Sequence, residues 1–143
     1  KNAAKETPNE KNQFKSISSK SGIHITFDDE DKILTIETPE MNTIVLDDKN
    51  KSISLHDMNE NSVVMDESGI TIKTPKDLNL SADGNINIKA TSNLAMSATA
   101  DATLDGQSIT QSAKTSFTAK GNASAELSAS GQTTVKGAMV MIN

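Results

Sequence analysis

From Asp77 to Ala100 the chain reads DLNLSADGNINIKATSNLAMSATA, and every second residue is apolar or small. Of the fourteen even positions from 78 to 104, thirteen are apolar or Gly, while the odd positions from 77 to 103 are polar or charged except Ala95. A period of two held this long predicts β-structure with one wet and one dry face, because a helix repeats every 3.6 residues. Bulk within the dry set recurs every eight residues, as Leu78 and Leu80, Ile86 and Ile88, Leu94 and Met96, with small residues between. An eight-residue unit predicts a short strand and then a corner, where small inward residues let the backbone turn. At Asp105-Gly106-Gln107-Ser108 the phase slips by one, and the odd positions from 109 to 135 become the inward set. A one-residue slip exchanges the faces unless a bulge absorbs it, and Gly106 is the expected site. A second slip, at Gly137, turns Ala138, Val140 and Ile142 inward. The expected lumen-lining residues are therefore Leu78, Leu80, Ile86, Ile88, Leu94, Met96, Leu104, Ile109, Phe117, Leu127 and Val135.

Upstream, residues 21–76 hold the β-type runs GIHITF, ILTIET, NTIVLD, SISLHD, SVVMD and GITIKT, separated by clusters rich in turn formers. Val45-Leu46-Asp47 returns as Val64-Met65-Asp66 nineteen residues later, which predicts a repeating supersecondary unit. Residues 1–20 are polar, contain Pro8 and lack periodicity, and read as a linker or disordered lead-in. Three segments are thus expected: a lead-in over 1–20, broader β-prism rungs over 21–76, and an octad-repeat β-helix over 77–143. The first residue is Lys, so the chain reads as a fragment.

Composition sharpens this picture. Only 34% of the 143 residues are apolar and 2% aromatic, against about 45–50% apolar in ordinary domains, so one chain has little with which to build a core. A straight strand of this length is implausible, and the chain must wind. One chain coiling alone, with three edges to a turn of about 24 residues, satisfies the pattern. So do three identical chains wound about a triangular axis, and this arrangement is preferred: neither end of the chain looks like a cap, and a lone coil of few turns buries little. The prism would be on the order of 60 Å long at about 4.8 Å per rung.

Charge and chemistry remove other classes. Residues 21–76 carry twelve acids against five Lys, and Arg is absent throughout, which argues against nucleic acid as a partner. Cys is absent, so neither disulfides nor thiolate metal sites form, and the redox compartment stays open. No apolar run approaches the roughly 20 residues of a membrane helix. His24 and His56 read as exposed or rung-lining residues; three symmetry copies of one His around an axis are the sharper alternative for a metal. Asp28-Asp29-Glu30-Asp31 lacks the alternating ligand spacing of a calcium loop and reads as a solvated turn. No nucleophile elbow or phosphate loop occurs, and a filled prism offers no cleft for paired carboxylates. No catalytic residue, metal or cofactor is expected.

The run LDDKNKSISLHDMNENSVVMDESGITIKTPKDLNLSADGNINIKA and the ending TTVKGAMVMIN resemble the C-terminal needle of VgrG-type spike proteins. These belong to type VI secretion and related contractile injection systems and are similar to contractile phage central spikes. The likeness covers residues 21–143. It is strongest at Asp48 to Leu55, with Lys51 where such families often have Gly, at SGITI (68–72) and at GAMVMIN (137–143). It implies an all-β, intertwined triple-stranded β-helix formed by a homotrimer, a structural spike in the baseplate assembly that helps puncture a target envelope. It further implies hub or baseplate proteins at the N-terminal end, a PAAR-type tip protein docked on Val140, Met141, Ile142 and Asn143, secreted effectors as cargo, and transient contact with the target membrane. Assembly in the bacterial cytoplasm followed by secretion or injection is the implied localisation. The apolar final rung, Met139 to Ile142, independently invites capping. The rival reading is a trimeric fibre or adhesin stalk that binds surface glycans along its polar faces.

Overall fold

The structure, a computed structural model, describes residues 11–142; the first half of the expected lead-in and Asn143 of the docking set lie outside the described residues. The chain divides into two units, Lys1–Ile88 and Lys89–Asn143.

In the first unit seven five-residue strands form one antiparallel sheet: β1 (Phe14–Ser18), β2 (His24–Asp28), β3 (Ile33–Glu37), β4 (Thr43–Asp47), β5 (Ser52–His56), β6 (Ser62–Asp66) and β7 (Gly69–Lys73). Each strand pairs with the next, in the order β1-β2-β3-β4-β5-β6-β7. The protein is all-β, as its alternation predicts. Two details depart from expectation. β1 lies inside the segment read as a lead-in, and residues 14–73 pair within one chain instead of interleaving with neighbours.

The turns explain the second departure. Three reversals, starting at Ser19, Thr38 and Asp57, share one construction. The fourth residue of each donates its N–H to the first carbonyl: Gly22 to Ser19 at 3.2 Å, Met41 to Thr38 at 3.0 Å, Glu60 to Asp57 at 3.3 Å. That fourth residue is left-handed, with φ of 91° at Gly22, 62° at Met41 and 64° at Glu60. The first side chain accepts the N–H of the fifth residue: Ile23 on Ser19 Oγ at 2.9 Å, Asn42 on Thr38 Oγ1 at 3.2 Å, Asn61 on Asp57 Oδ1 at 2.9 Å. This is a type I turn closed by a left-handed residue, a favoured three-residue hairpin loop. So short a loop fixes the chain's own next strand as the antiparallel neighbour.

The turns at the opposite end use carboxylates. Asp28 Oδ1 accepts the N–H of Glu30 at 3.0 Å and of Asp31 at 3.1 Å; Asp47 Oδ1 accepts that of Asn50 at 2.9 Å; Asp66 Oδ1 accepts that of Ser68 at 2.7 Å. Lys32 and Lys51 take the left-handed position there, with φ of 57° and 51°. Strand starts follow: β1, β3 and β5 begin at 14, 33 and 52, and β2, β4 and β6 at 24, 43 and 62. The nineteen-residue echo is therefore one hairpin repeat. It breaks only at β7, because the Asp66-to-Gly69 turn is two residues shorter and closes on Gly69 at φ 131°.

Residues 77–142 form neither helix nor strand and hold no strand partner among the described residues. Bends fall at 75–76, 83–84, 91–92, 99–100, 107, 114–115, 122–123, 130–131 and 138. Their spacing is eight, shortening to seven between 107 and 114. The second residue of the paired corners is small at Gly84, Ser92, Ala100, Ala123 and Gly131, and Lys76 and Thr115 take the remaining two places. At Gly121, beside the 122–123 corner, an added Cβ would collide with the Ser124 carbonyl oxygen, so only Gly fits that approach.

Candidate interaction surfaces

Strand register sorts the sheet's side chains into two faces. Pairing of Ile17 with Ile25, Ile25 with Ile36, Ile36 with Ile44, Ile44 with Leu55, Leu55 with Val63 and Val63 with Ile72 makes one unbroken apolar row. A parallel row runs Lys15, Phe27, Leu34, Leu46, Ile53, Met65, Ile70. Thirteen of these fourteen residues are apolar; the exception is Lys15 on the edge strand β1, ion-paired with Asp29. The opposite face carries Ser, Thr, Asp and both His, interrupted by Phe14, Ile33, Val45 and Val64.

An apolar face normally lies against a second layer. Here it does not: no described residue is buried, and Ile44, Leu46, Ile53 and Leu55 at its centre stay 39–41% exposed. A concavity of about 560 Å³ opens at the end of the face nearest Thr38, Asn42 and Asn61, with Ile36, Ile44, Leu55, Val63, Ile72 and Leu78 among its walls. His56, Asp57 and Asp77 sit on its lining as well.

The residues expected to line a lumen lie on the edges between the bends. All eleven are substantially exposed in the single chain, from Ile109 at 49% to Met96 at 83%. Gly106 and Gly137 each directly precede a one-residue bend, at Gln107 and Ala138. Of the expected docking residues, Val140, Met141 and Ile142 are exposed together with Met139.

The histidines share the polar face. His24 Nδ1 lies 2.9 Å from Ser18 Oγ, and His56 stands opposite Thr43 and Ser62 in register. Glu37 and Thr43 occupy the two strands between them, so one chain does not bring the two rings together. No cluster of three potential metal ligands occurs among the described residues. The acidic turn is a hydrogen-bonded reversal. Asp28 is held below the ordinary aspartate range, first by the Gln13 amide at 2.9 Å and then by the turn N–H groups. Lys11 pairs with Glu30 at 3.4 Å and Lys49 with Asp31 at 2.8 Å, and that contact raises the Lys49 pKa. Lys51 reaches Glu67 at 2.6 Å. All of these pairs are solvent-accessible, where screening leaves each a small contribution.

Reading by runs of apolar residues missed β1, because FKSIS offers just Phe14 and Ile17. The nineteen-residue repeat carried one unit back from Ile33 would have found it. No protein-family model matches the chain, and no curated protein matches it.

Proposed function

We propose that this chain is the structural spike of a contractile injection machine: a rigid homotrimeric needle that helps puncture a target envelope. The observation that carries the reading is an apolar face two residues wide across seven strands, none of it buried among the described residues. Burying what remains exposed stabilises by about 1 kcal/mol per side chain at 25 cal/mol per Å², enough in sum to drive stable association. Three copies around a threefold axis give every such face the same dry interior. The corners support three rather than two: eight-residue edges that bend without reversing describe a polygon, and inward residues this small suit the narrow lumen of a triangle. The resemblance to VgrG-type needles supplies the machine.

In this reading the activity is mechanical. Continuous interchain hydrogen bonds and a dry axis give axial stiffness, and the Ser, Thr, Asn and Lys exterior stays hydrated as the shaft passes through an envelope. No residue performs catalysis. The exposed Met139 to Ile142 at the C-terminal end receive a PAAR-type tip protein, while hub or baseplate proteins hold the other end.

Mass in solution is the test. Light scattering is expected to give a trimer of about 45 kDa, three times the 15.2 kDa chain, resistant to detergent. A monomer or a face-to-face dimer overturns the proposal. Deleting residues 139–143 is expected to abolish capture of a tip protein while leaving the trimer intact; unchanged behaviour points instead to a glycan-binding stalk.

A further inference from the structure

The bends divide residues 77–142 into nine edges. Each edge opens with two residues of the inward phase, and a third, beside the next corner, is Ala or Gly wherever the edge has one. Of the eighteen positions held by the first two, from Leu78 to Ile142, sixteen are apolar. The exceptions are Thr133 and Gln111. A threonine hydroxyl can bond to neighbouring backbone groups of its own chain. Gln111 carries two N–H donors and an acceptor oxygen on a longer arm. It lies on the edge between the bends at 107 and 114, the one step shortened to seven residues.

A carboxamide without partners in an apolar lumen is costly. The inward set of one chain offers it none nearby: Ile109 and Ala113 flank it in phase, and Leu104 and Ala119 hold its place on the edges before and after. Threefold symmetry supplies the missing groups. Copies of one inward residue face the axis at the same height, so each Gln111 meets two more.

We propose that the three Gln111 side chains close a ring of hydrogen bonds on the axis, each donating an N–H to the carboxamide oxygen of the next, and that this ring fixes the register in which the copies assemble. The inference rests on the trimer proposed above and names the residue that aligns it. Alignment is otherwise weakly marked. Alternation penalises a slip of one residue but not of eight, and the pairs Leu78 and Leu80, Ile86 and Ile88, Leu94 and Met96 are nearly interchangeable in bulk. The sheet's apolar face is as uniform, with thirteen apolar residues among fourteen. The phase slip at Gly106 marks position too, but a bulge can absorb it. A copy displaced by one edge sets its Gln111 beside Leu104 or Ala119 of its neighbours, which breaks the ring and leaves buried amides unpaired. A single polar residue in an apolar seam specifies register in coiled coils in the same way, at a cost in stability.

Side-chain amide exchange reads the ring directly. In the full chain the Gln111 Nε2 protons, identified by their loss in Gln111→Leu, are expected to exchange at least about tenfold more slowly than those of Gln132, which lies in the outward phase. Gln111→Leu is expected to keep the trimeric mass, because leucine suits a position whose equivalents are nearly all apolar, and to melt at or above the wild-type temperature. With isoleucine δ1 methyls labelled, the wild type should give one signal each for Ile86, Ile88 and Ile109, since threefold copies are equivalent. Gln111→Leu should give several for each, as slipped trimers break that equivalence. A Gln111 amide that exchanges as fast as that of Gln132, a Gln111→Leu chain that loses the trimer, or one that keeps a single signal per isoleucine overturns this inference and leaves the spike standing. A wild-type monomer overturns both.

Discussion

Residues 14–73 and residues 77–142 share one pattern, a predominant alternation of apolar and polar residues, and use it oppositely. The first segment finds all its strand partners in its own chain; the second finds none. What differs is the punctuation. In the sheet all six reversals open on a side chain that accepts backbone N–H groups (Ser19, Asp28, Thr38, Asp47, Asp57, Asp66), and each ends on a left-handed residue. Such a turn returns the chain beside itself. The octad corners, Asp83-Gly84, Thr91-Ser92, Thr99-Ala100 and their successors, carry no such closing bond, so they bend the chain and pass it on. Alternation decides that a segment is β-structure; its turns decide whose strand it will pair with.

The comparison breaks most visibly on the apolar face. Leu55→Asp places a charge at its centre, where three copies must bury it without partners at a cost of several kcal/mol each. The mass by light scattering is expected to fall from trimer to monomer. In that monomer, hydrogen exchange should find the amides of 77–142 unprotected while β2 to β6 keep part of their protection, since only the sheet holds its own hydrogen bonds. Ser54→Asp, one residue away on the opposite face, is expected to leave the trimer intact. A Leu55→Asp chain that still assembles would mean that burial of this face is not what drives assembly.

How much of this was legible beforehand divides along the same line. Six of the seven strands stand out as apolar runs, and the octad corners were readable because small residues recur at fixed intervals from Ala82 to Ala100. β1 was not, since Lys15 occupies an inward position that its repeat mates Leu34 and Ile53 fill with bulk. Hairpin pairing within residues 21–76 was missed for a different reason. Asp47, Asp57 and Asp66 look in sequence like solvated charge, and their role as backbone acceptors appears only when the loop geometry is in view. Lys51 is the converse case. Its departure from Gly stood out in the sequence, and its φ of 51° shows what Gly would relieve.

That position offers a smaller and sharper test. An L-residue held left-handed costs about 1–2 kcal/mol, whereas Gly adds about 0.5–1 kcal/mol of unfolded-chain entropy. Lys51→Gly also loses the exposed pair with Glu67, worth at most about 1 kcal/mol. A net gain of about 0.5 kcal/mol per chain is expected, read as a higher melting temperature at unchanged mass. Gly22→Ala should move the other way, because its φ is 91° and its Cβ would lie 3.0 Å from Pro39 Cγ. Equal shifts of the same sign would mean that left-handed strain does not govern these turns.

The smallest effect concerns the turn carboxylates and their protons. Asp28 is held below the ordinary aspartate range by the Gln13 amide, Asp47 by the Asn50 N–H, Asp57 by the Asn61 side chain and Asp66 by the Ser68 hydroxyl. A carboxylate whose pKa is lower folded than unfolded stabilises fully above the unfolded value, and that contribution disappears as pH falls through the folded one. Lys49 has the opposite sign: its pKa is raised by Asp31, so its contribution holds through neutral pH and is lost in the alkaline range. The melting temperature is therefore expected to climb from about pH 2 to about pH 5, stay level through neutrality and fall above about pH 10. None of the five groups is buried, so the slopes are shallow. Replacing the four aspartates with Asn keeps an acceptor oxygen at each turn and removes the titration, which should flatten the acid limb and lower neutral stability by about what the wild-type chain loses on acidification. An acid limb of undiminished slope in that variant would place the pH dependence outside the turns, and the capping carboxylates would then be acceptors whose charge does not matter to the fold.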